Sequence, residues 1–176
     1  YEVTVKEKLS FARRAYYNDG EKVLESDGFK SFYEKNASWL RPYGVFCVLR
    51  DLFGTSDYWR WGVFSTFSND VLDKIDCPGG DLYESTRFFY YLQYNLHSQL
   101  ICTAEYAKSK GVILKGDLPV GVDKRSVDTW MYPRLFRIDT STGAPPDAFD
   151  ANGQNWGFPT YNWENMAEDD YAWWRS

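Results

Sequence analysis

Through the first 110 residues the apolar positions recur with a helical period, and beyond them that period is lost. Trp39, Tyr43, Phe46, Leu49 and Phe53 are spaced four, three, three and four apart. That spacing puts all five on one helix face, and Gly54 is placed to end the helix. A longer stripe of Leu82, Phe89, Leu92, Leu96, Leu100, Thr103 and Ala107 predicts a helix over residues 82–110, with Gly111 as its stop. A second stripe, Phe88, Tyr91, Cys102 and Tyr106, widens the apolar face, so this helix is expected to pack on two sides. Between the two, Cys77-Pro78-Gly79-Gly80 reads as a turn, and Ser56 and Ser68 suit the caps of short helices.

After Gly111 the pattern changes. Val112-Ile113-Leu114 is a compact apolar run directly after a helix stop, which predicts a buried parallel strand of a βαβ-type arrangement. Asp117 falls just past the end of that strand. A short helix is expected near residues 126–130. Residues 139–160 are rich in Gly, Pro, Asn, Asp, Ser and Thr and read as a long irregular loop. A closing helix is expected from Asn162, with Trp163, Met166, Tyr171 and Trp174 apolar. One strand cannot form a sheet, so its partners are expected outside this chain. Tyr1 in place of Met, and an ending inside a helical pattern, agree with a piece of a longer protein. The fold class is therefore α/β, with a helical portion over residues 1–110 and a strand, loop and helix over residues 111–176.

A length of 176 residues suits one domain of ordinary size. The formal charge of -5 sets the chain against nucleic acid and anionic membrane surfaces. No apolar run approaches the roughly 18 residues that span a bilayer. No secretory signal is visible, so a cytoplasmic location is expected. Cys47, Cys77 and Cys102 are odd in number and far apart, which fits free thiols. Asn36-Ala37-Ser38 is a glycosylation sequon that acts only in secreted chains. The unusual quantity is aromatic content, 19% of the chain. Flat apolar rings with polar tips fill cores, and they also stack on the C–H faces of sugar rings.

Several chemistries are excluded by what is missing. His97 is the single histidine and no cysteine pair has ligand spacing, so no zinc site is expected. Asp150-Ala151-Asn152-Gly153 has the look of a calcium loop with its other acidic ligands out of register, and a turn is the better reading. There is no Gly-rich phosphate loop and no Gly-x-Ser-x-Gly elbow, and the lone histidine removes serine-hydrolase chemistry. No metal or other cofactor is implied. Carboxylates are left. Asp117 stands at the carboxyl end of the expected strand, where barrel enzymes place functional groups, although a structural role in capping the loop fits its position too. Arg137-Ile138-Asp139 is a rival, since residues two apart on a strand share a face and the arginine would keep the aspartate ionised.

Five stretches in order resemble a known family. They are residues 114–122 (LKGDLPVGV), 126–130 (SVDTW), 143–149 (GAPPDAF), 153–157 (GQNWG) and 159–163 (PTYNW). Together they resemble the 4-α-glucanotransferases of glycoside hydrolase family 77, the amylomaltases and disproportionating enzymes. Upstream, Trp39 to Phe53, Trp59, Trp61 and the Tyr94 to Ala107 helix look like that family's helical insertion. The wording from Ser141 to Trp163 looks most like the cytosolic, maltose-using branch.

The resemblance implies a fragment of a (β/α)8 TIM-type barrel with an inserted helical subdomain. It implies a retaining double displacement that moves glucosyl or maltodextrin units between α-1,4-glucans, with two carboxyls about 5–5.5 Å apart across the bond. The family's nucleophile and acid/base follow the segment seen here, so the isolated chain is expected to be inactive. By motif position, Asp117 becomes a supporting aspartate, and Asp147, Phe149, Gln154 and Trp156 become glucan-contacting residues. Ala148 departs from the tyrosine common there, which removes one contact from loop to sugar. Arg137 and Asp139 do not lie on the nucleophile strand. The implied partners are α-1,4-glucans, maltose, maltooligosaccharides and glycogen, together with the remainder of the barrel. Two other readings stand beside this one: a noncatalytic α-glucan-binding or scaffold module, and an α-glucan hydrolase.

Overall fold

The computed structural model describes residues 2–175, with the side chains of Glu2 and Val3 outside the description. The chain divides into two compact units, one of residues up to Leu52 with Asn69–Gly116, the other of Phe53–Ser68 with residues from Asp117 onward.

The first unit is helical. Helix α1 (Glu2–Leu24) turns Val5, Leu9, Ala12, Tyr16, Gly20 and Leu24 inward at helical spacing. Helix α2 (Asp27–Phe53) starts where the Ser26 hydroxyl accepts from the Phe29 amide, 3.2 Å away, and its end is marked by Gly54 at φ 65°. Helix α3 (Asn69–Ile75) leads into the turn at residues 77–80, where the Gly80 amide bonds the Cys77 carbonyl at 2.8 Å. Helix α4 (Tyr83–Ser109) ends at Gly111, φ 73°. Leu24, Phe29, Phe32, Leu40, Tyr90 and Tyr91 form a buried core, joined at its edge by Tyr16, Tyr33 and Tyr94. Edge-to-face rings run through it, among them Tyr16 with Tyr91 at 5.4 Å and Phe29 with Tyr94 at 5.6 Å.

The expected two-sided packing of α4 holds for only half of it. Phe88 to Tyr91 are buried, whereas Leu96 and Leu100 of the expected stripe are exposed, Leu100 by 63%. A 27-residue helix is about 40 Å long, and nothing among the described residues covers its last turns. The Val112-Ile113-Leu114 run also departs from expectation. It joins no ladder and is exposed, Ile113 by 91%. A strand exists only where a partner takes its backbone groups, and this run pairs with none of the described strands.

The second unit is built on tryptophans. Trp61 and Trp130 are buried at 6.0 Å between ring centres, and each indole N–H reaches a backbone carbonyl, that of Thr55 at 2.9 Å and that of Phe64 at 3.1 Å. Helix α5 (Val127–Met131) opens with Ser126 accepting from the Thr129 amide. Strands β1 (Phe136–Arg137) and β4 (Thr160–Tyr161) pair antiparallel, as do β2 (Gly143–Ala144) and β3 (Gln154–Asn155). The stretch expected to be an irregular loop is thus a long hairpin arm. The expected closing helix is two short ones, α6 (Trp163–Ala167), capped by Asn162, and α7 (Ala172–Arg175). They are separated at Asp170 and Tyr171, whose φ values of 55° and 58° break a right-handed helix.

Candidate functional site

The arm is clamped at its base and closed at its tip. Phe136 faces Tyr161 and Arg137 faces Thr160, and the Asn162 amide bonds the Leu135 carbonyl at 2.9 Å. Leu135, Phe136 and Met166 pack as a small core with Val122, Tyr161, Trp173 and Trp174 around it. Further out, Thr142 donates to the Phe158 carbonyl at 2.7 Å and accepts from the Trp156 amide at 2.9 Å. A hairpin alone is marginal in water, so this anchored base is what holds the outer ladder in place. At the second ladder Gly143 opposes Asn155, and a Cβ on residue 143 would stand 1.9 Å from the Gln154 carbonyl oxygen. Only glycine lets the strands meet that closely.

The tip closes on its own aspartates. One carboxylate oxygen of Asp147 accepts from the amides of Phe149 and Asp150, each at 2.8 Å, while Asp150 accepts from the Asn152 amide at 3.0 Å and its carbonyl from the Gly153 amide at 3.2 Å. The Asp150 to Gly153 segment is therefore the turn expected from its sequence, and among the described residues there is no metal-holding cluster. This turn pushes Phe149 outward until its ring is 97% exposed. Leaving such a ring in water forgoes roughly 1.5–3 kcal/mol of burial.

Behind the tip, Gln154 opens β3 and Trp156 directly follows it, two residues on in extended chain. They are joined, the indole N–H of Trp156 donating to the Gln154 amide oxygen at 2.9 Å. The bond orients the indole and leaves both amide hydrogens of Gln154 as outward donors. Asn155, between them in sequence, accepts from Ser141 Oγ at 2.5 Å and from the Gly157 amide at 2.9 Å. The arm thus carries four of the five sequence-selected residues: Asp147, Phe149, Gln154 and Trp156. Together they present one exposed ring, one half-exposed indole, an amide donor and a carboxylate acceptor.

Asp117 is exposed in the irregular stretch that follows Gly116. Four residues later Gly121 lies against the arm, where a Cβ would meet Phe158 Cβ at 2.9 Å. The chain between can reach at most about 14 Å at full extension, which ties Asp117 to the neighbourhood of the arm's returning strand. The rival pair is not assembled. Arg137 donates to Glu164 at 2.6 Å, across to α6, and Asp139 is exposed in the turn that follows β1.

The motif stretch at residues 159–163 did not reveal the ring cluster that its Tyr161 gathers. Tyr161 is surrounded by Phe136, Trp163, Trp173 and Trp174 at 5.0–5.8 Å between ring centres. The Trp173 indole donates to Asp128 at 3.1 Å. Burial, and then the Asp128 charge, raise the pKa of the Tyr161 phenol. The repeated aromatics of residues 161–174 were the available signal. Their convergence depends on the break at Asp170 and Tyr171, which turns α7 back.

Comparison with known proteins identifies the family. The family described as 4-alpha-glucanotransferase, glycoside hydrolase family 77, matches residues 1–176. The chain is 56% identical over 176 residues to the 4-alpha-glucanotransferase DPE2 of Oryza sativa subsp. japonica, covering 100% of this chain and 19% of that protein. It is 33% identical over 175 residues to the 4-alpha-glucanotransferase of Chlamydia muridarum (strain MoPn / Nigg), covering 96% of this chain and 32% of that one. Among solved structures, the amylomaltase from Streptococcus agalactiae in complex with acarbose superposes with a TM-score of 0.80 at 26% identity, over 96% of this chain and 35% of that chain. The chain spans between about a fifth and a third of the length of these relatives. Matched along its whole length, it belongs to glycoside hydrolase family 77, the 4-alpha-glucanotransferases.

Proposed function

We propose that this chain is part of a 4-α-glucanotransferase that transfers glucosyl or maltodextrin units between α-1,4-glucans by a retaining double displacement. In this reading residues 1–110 are a helical insertion in a (β/α)8 barrel, and residues 111–176 supply one barrel strand, the arm and a following helix. The apolar run at residues 112–114 then gains its ladder from neighbouring strands of the barrel. The nucleophile and the acid/base come from the remainder of the protein, and the isolated chain transfers nothing. Asp117 supports the donor sugar, and the arm holds the acceptor glucan. Maltose, maltooligosaccharides and glycogen are the proposed substrates, in the cytosol.

The observation that carries this reading is that one hairpin arm bears both the exposed Phe149 ring at its tip and the joined Gln154–Trp156 pair behind it. Ring faces suit the C–H face of glucose, and the amide donors and the carboxylate acceptor suit its hydroxyls. An acceptor bound there takes the place of water at the glycosyl-enzyme intermediate, which favours transfer over hydrolysis. The test is glucose release from maltose plus glycogen by the full-length protein. Phe149→Ala and Trp156→Ala should each raise the KM for the acceptor by roughly tenfold or more, with thermal stability nearly unchanged. Unchanged acceptor kinetics in both variants would remove the arm from substrate binding. Release of glucose by the pure 176-residue chain would contradict the missing carboxylates, and hydrolysis in place of transfer by the whole protein would overturn the transferase assignment. Subcellular fractionation checks the location.

A further inference from the structure

Three bonds hold Trp156 in the arm. Its own amide donates to the Thr142 carbonyl at 2.9 Å, its indole N–H donates to Gln154 Oε1 at 2.9 Å, and the next amide, that of Gly157, donates to Asn155 Oδ1 at 2.9 Å. The last bond closes a turn centred on Trp156, in which the Asn155 side-chain carbonyl takes the amide two residues on. A bond at the Trp156 amide restrains its φ, and one at the Gly157 amide restrains its ψ. Together they set the direction in which the side chain leaves the backbone, and the Gln154 bond fixes the far end of the indole. Packing does not do this work at Gly157, whose φ is 77° and where a Cβ would find no described group within 4 Å beyond its chain neighbours.

Asn155 is itself anchored across the arm. Ser141 Oγ donates to the same Oδ1 at 2.5 Å, and a carboxamide oxygen has the two lone pairs that both donors need. The residue opposite Asn155 in the ladder is Gly143, which has no side chain to offer, so Ser141, two residues earlier, supplies the tie to the facing strand. Asn155 and Ser141 are both exposed. Neither bond satisfies a buried group, so their loss changes global stability little. What the pair orders is the turn that carries the indole.

We infer that Asn155, anchored by Ser141, is a positioning residue that sets the Trp156 indole for the acceptor glucan. The assignment rests on the arm's holding the acceptor, and it gives a part to two residues that need not touch the sugar. The test is transfer from maltose to glycogen by the full-length protein. Asn155→Ala should raise the KM for the acceptor roughly threefold to tenfold with kcat nearly unchanged, because binding common to ground and transition states is lost. Asn155→Asp should restore the wild-type KM, since a carboxylate oxygen accepts the same two bonds. Ser141→Ala should give a smaller rise and add nothing to Asn155→Ala, because it acts through that residue. In residue-resolved amide exchange, Asn155→Ala should accelerate Gly157 roughly tenfold and leave the Trp156 amide nearly unchanged. Equal acceleration at both amides means that the arm opens as a whole, and overturns the positioning role. A KM raised equally by Asn155→Ala and Asn155→Asp overturns it too, by making the asparagine N–H groups a direct contact. An acceptor KM unchanged in Asn155→Ala but raised in Trp156→Ala sinks this role alone and leaves the arm reading standing. A KM that Trp156→Ala leaves unchanged sinks the role together with the contact from Trp156 to the glucan.

Discussion

Replacing Gly143 with alanine puts a methyl carbon 1.9 Å from the Gln154 carbonyl oxygen, 3.0 Å from its carbon and 3.3 Å from Asn155 Cα. Such carbon–oxygen contacts normally sit at about 3.3–3.6 Å, so the strands must separate by roughly 1.5 Å. Every atom in the conflict is backbone, and no rotamer change relieves it. Parting β2 from β3 also strains the bond from the Trp156 amide to the Thr142 carbonyl, now 2.9 Å. Overpacking costs typically about 1–3 kcal/mol, and each lost hydrogen bond about 0.5–1.5 kcal/mol net. Because part of the strain is relieved as the strands part, the local cost is about 2–3 kcal/mol. That corresponds to roughly 30- to 150-fold in the opening equilibrium. Amide exchange of Trp156 should accelerate by that factor. The Trp130 amide, bonded to the Ser126 carbonyl at 3.2 Å, is the internal control and should not change. Unchanged Trp156 exchange would refute the close-approach argument. Equal acceleration at both amides would refute the claim that the arm opens independently of the tryptophan core.

Cys47 is buried and its thiol is pushed by that burial up to about 11 from the ordinary 9.0, whereas Cys77 and Cys102 are exposed. At neutral pH a thiol reagent should therefore titrate two cysteines quickly and the third only on unfolding. The same shift lowers stability as pH rises from about 9 to about 11, because the unfolded thiol loses its proton while the native one keeps it. Tyr43, raised by burial to about 12, adds the same sign, and urea midpoints across this range should fall less steeply in Cys47→Ala. Arg41→Ala removes the 2.8 Å partner of the Asp76 carboxylate and should cost about 3 kcal/mol in urea denaturation, much of it recovered when Asp76→Asn is added. Ser126→Ala deletes the cap that accepts from the Thr129 amide at 3.4 Å and should cost about 0.5–1 kcal/mol in the same assay.

What was legible in advance was local. The spacing from Trp39 to Phe53 and the stop at Gly54 correspond to the second half of α2 and its end, and Tyr83–Ser109 lies within one residue of the expected long helix at either end. The helices expected near Ser126 and from Asn162 are present, and those two side chains cap them, whereas the cap expected at Ser56 falls instead at Asp57, with no side-chain bond. The residues chosen along the arm were found by motif likeness, whereas the bond that joins Gln154 to Trp156 was not anticipated. Nor was the hairpin itself, because its ladders are two residues long and lie among turn-forming residues that carry no alternating pattern. The exposed half of α4 misled for a related reason. An apolar stripe records what a face is built to meet, and it looks the same whether or not the partner is among these residues.

Helical periodicity and stop glycines act over four residues or fewer, so the order of residues was enough to place the second half of α2, α4 and the short α5. Whether Val112 to Leu114 forms a ladder, how closely Gly143 meets Gln154, and how the buried Asp76 carboxylate is met by Arg41 depend on groups brought together from outside the local sequence. Those outcomes are set by backbone pairing and desolvation, which exist only once the chain has packed.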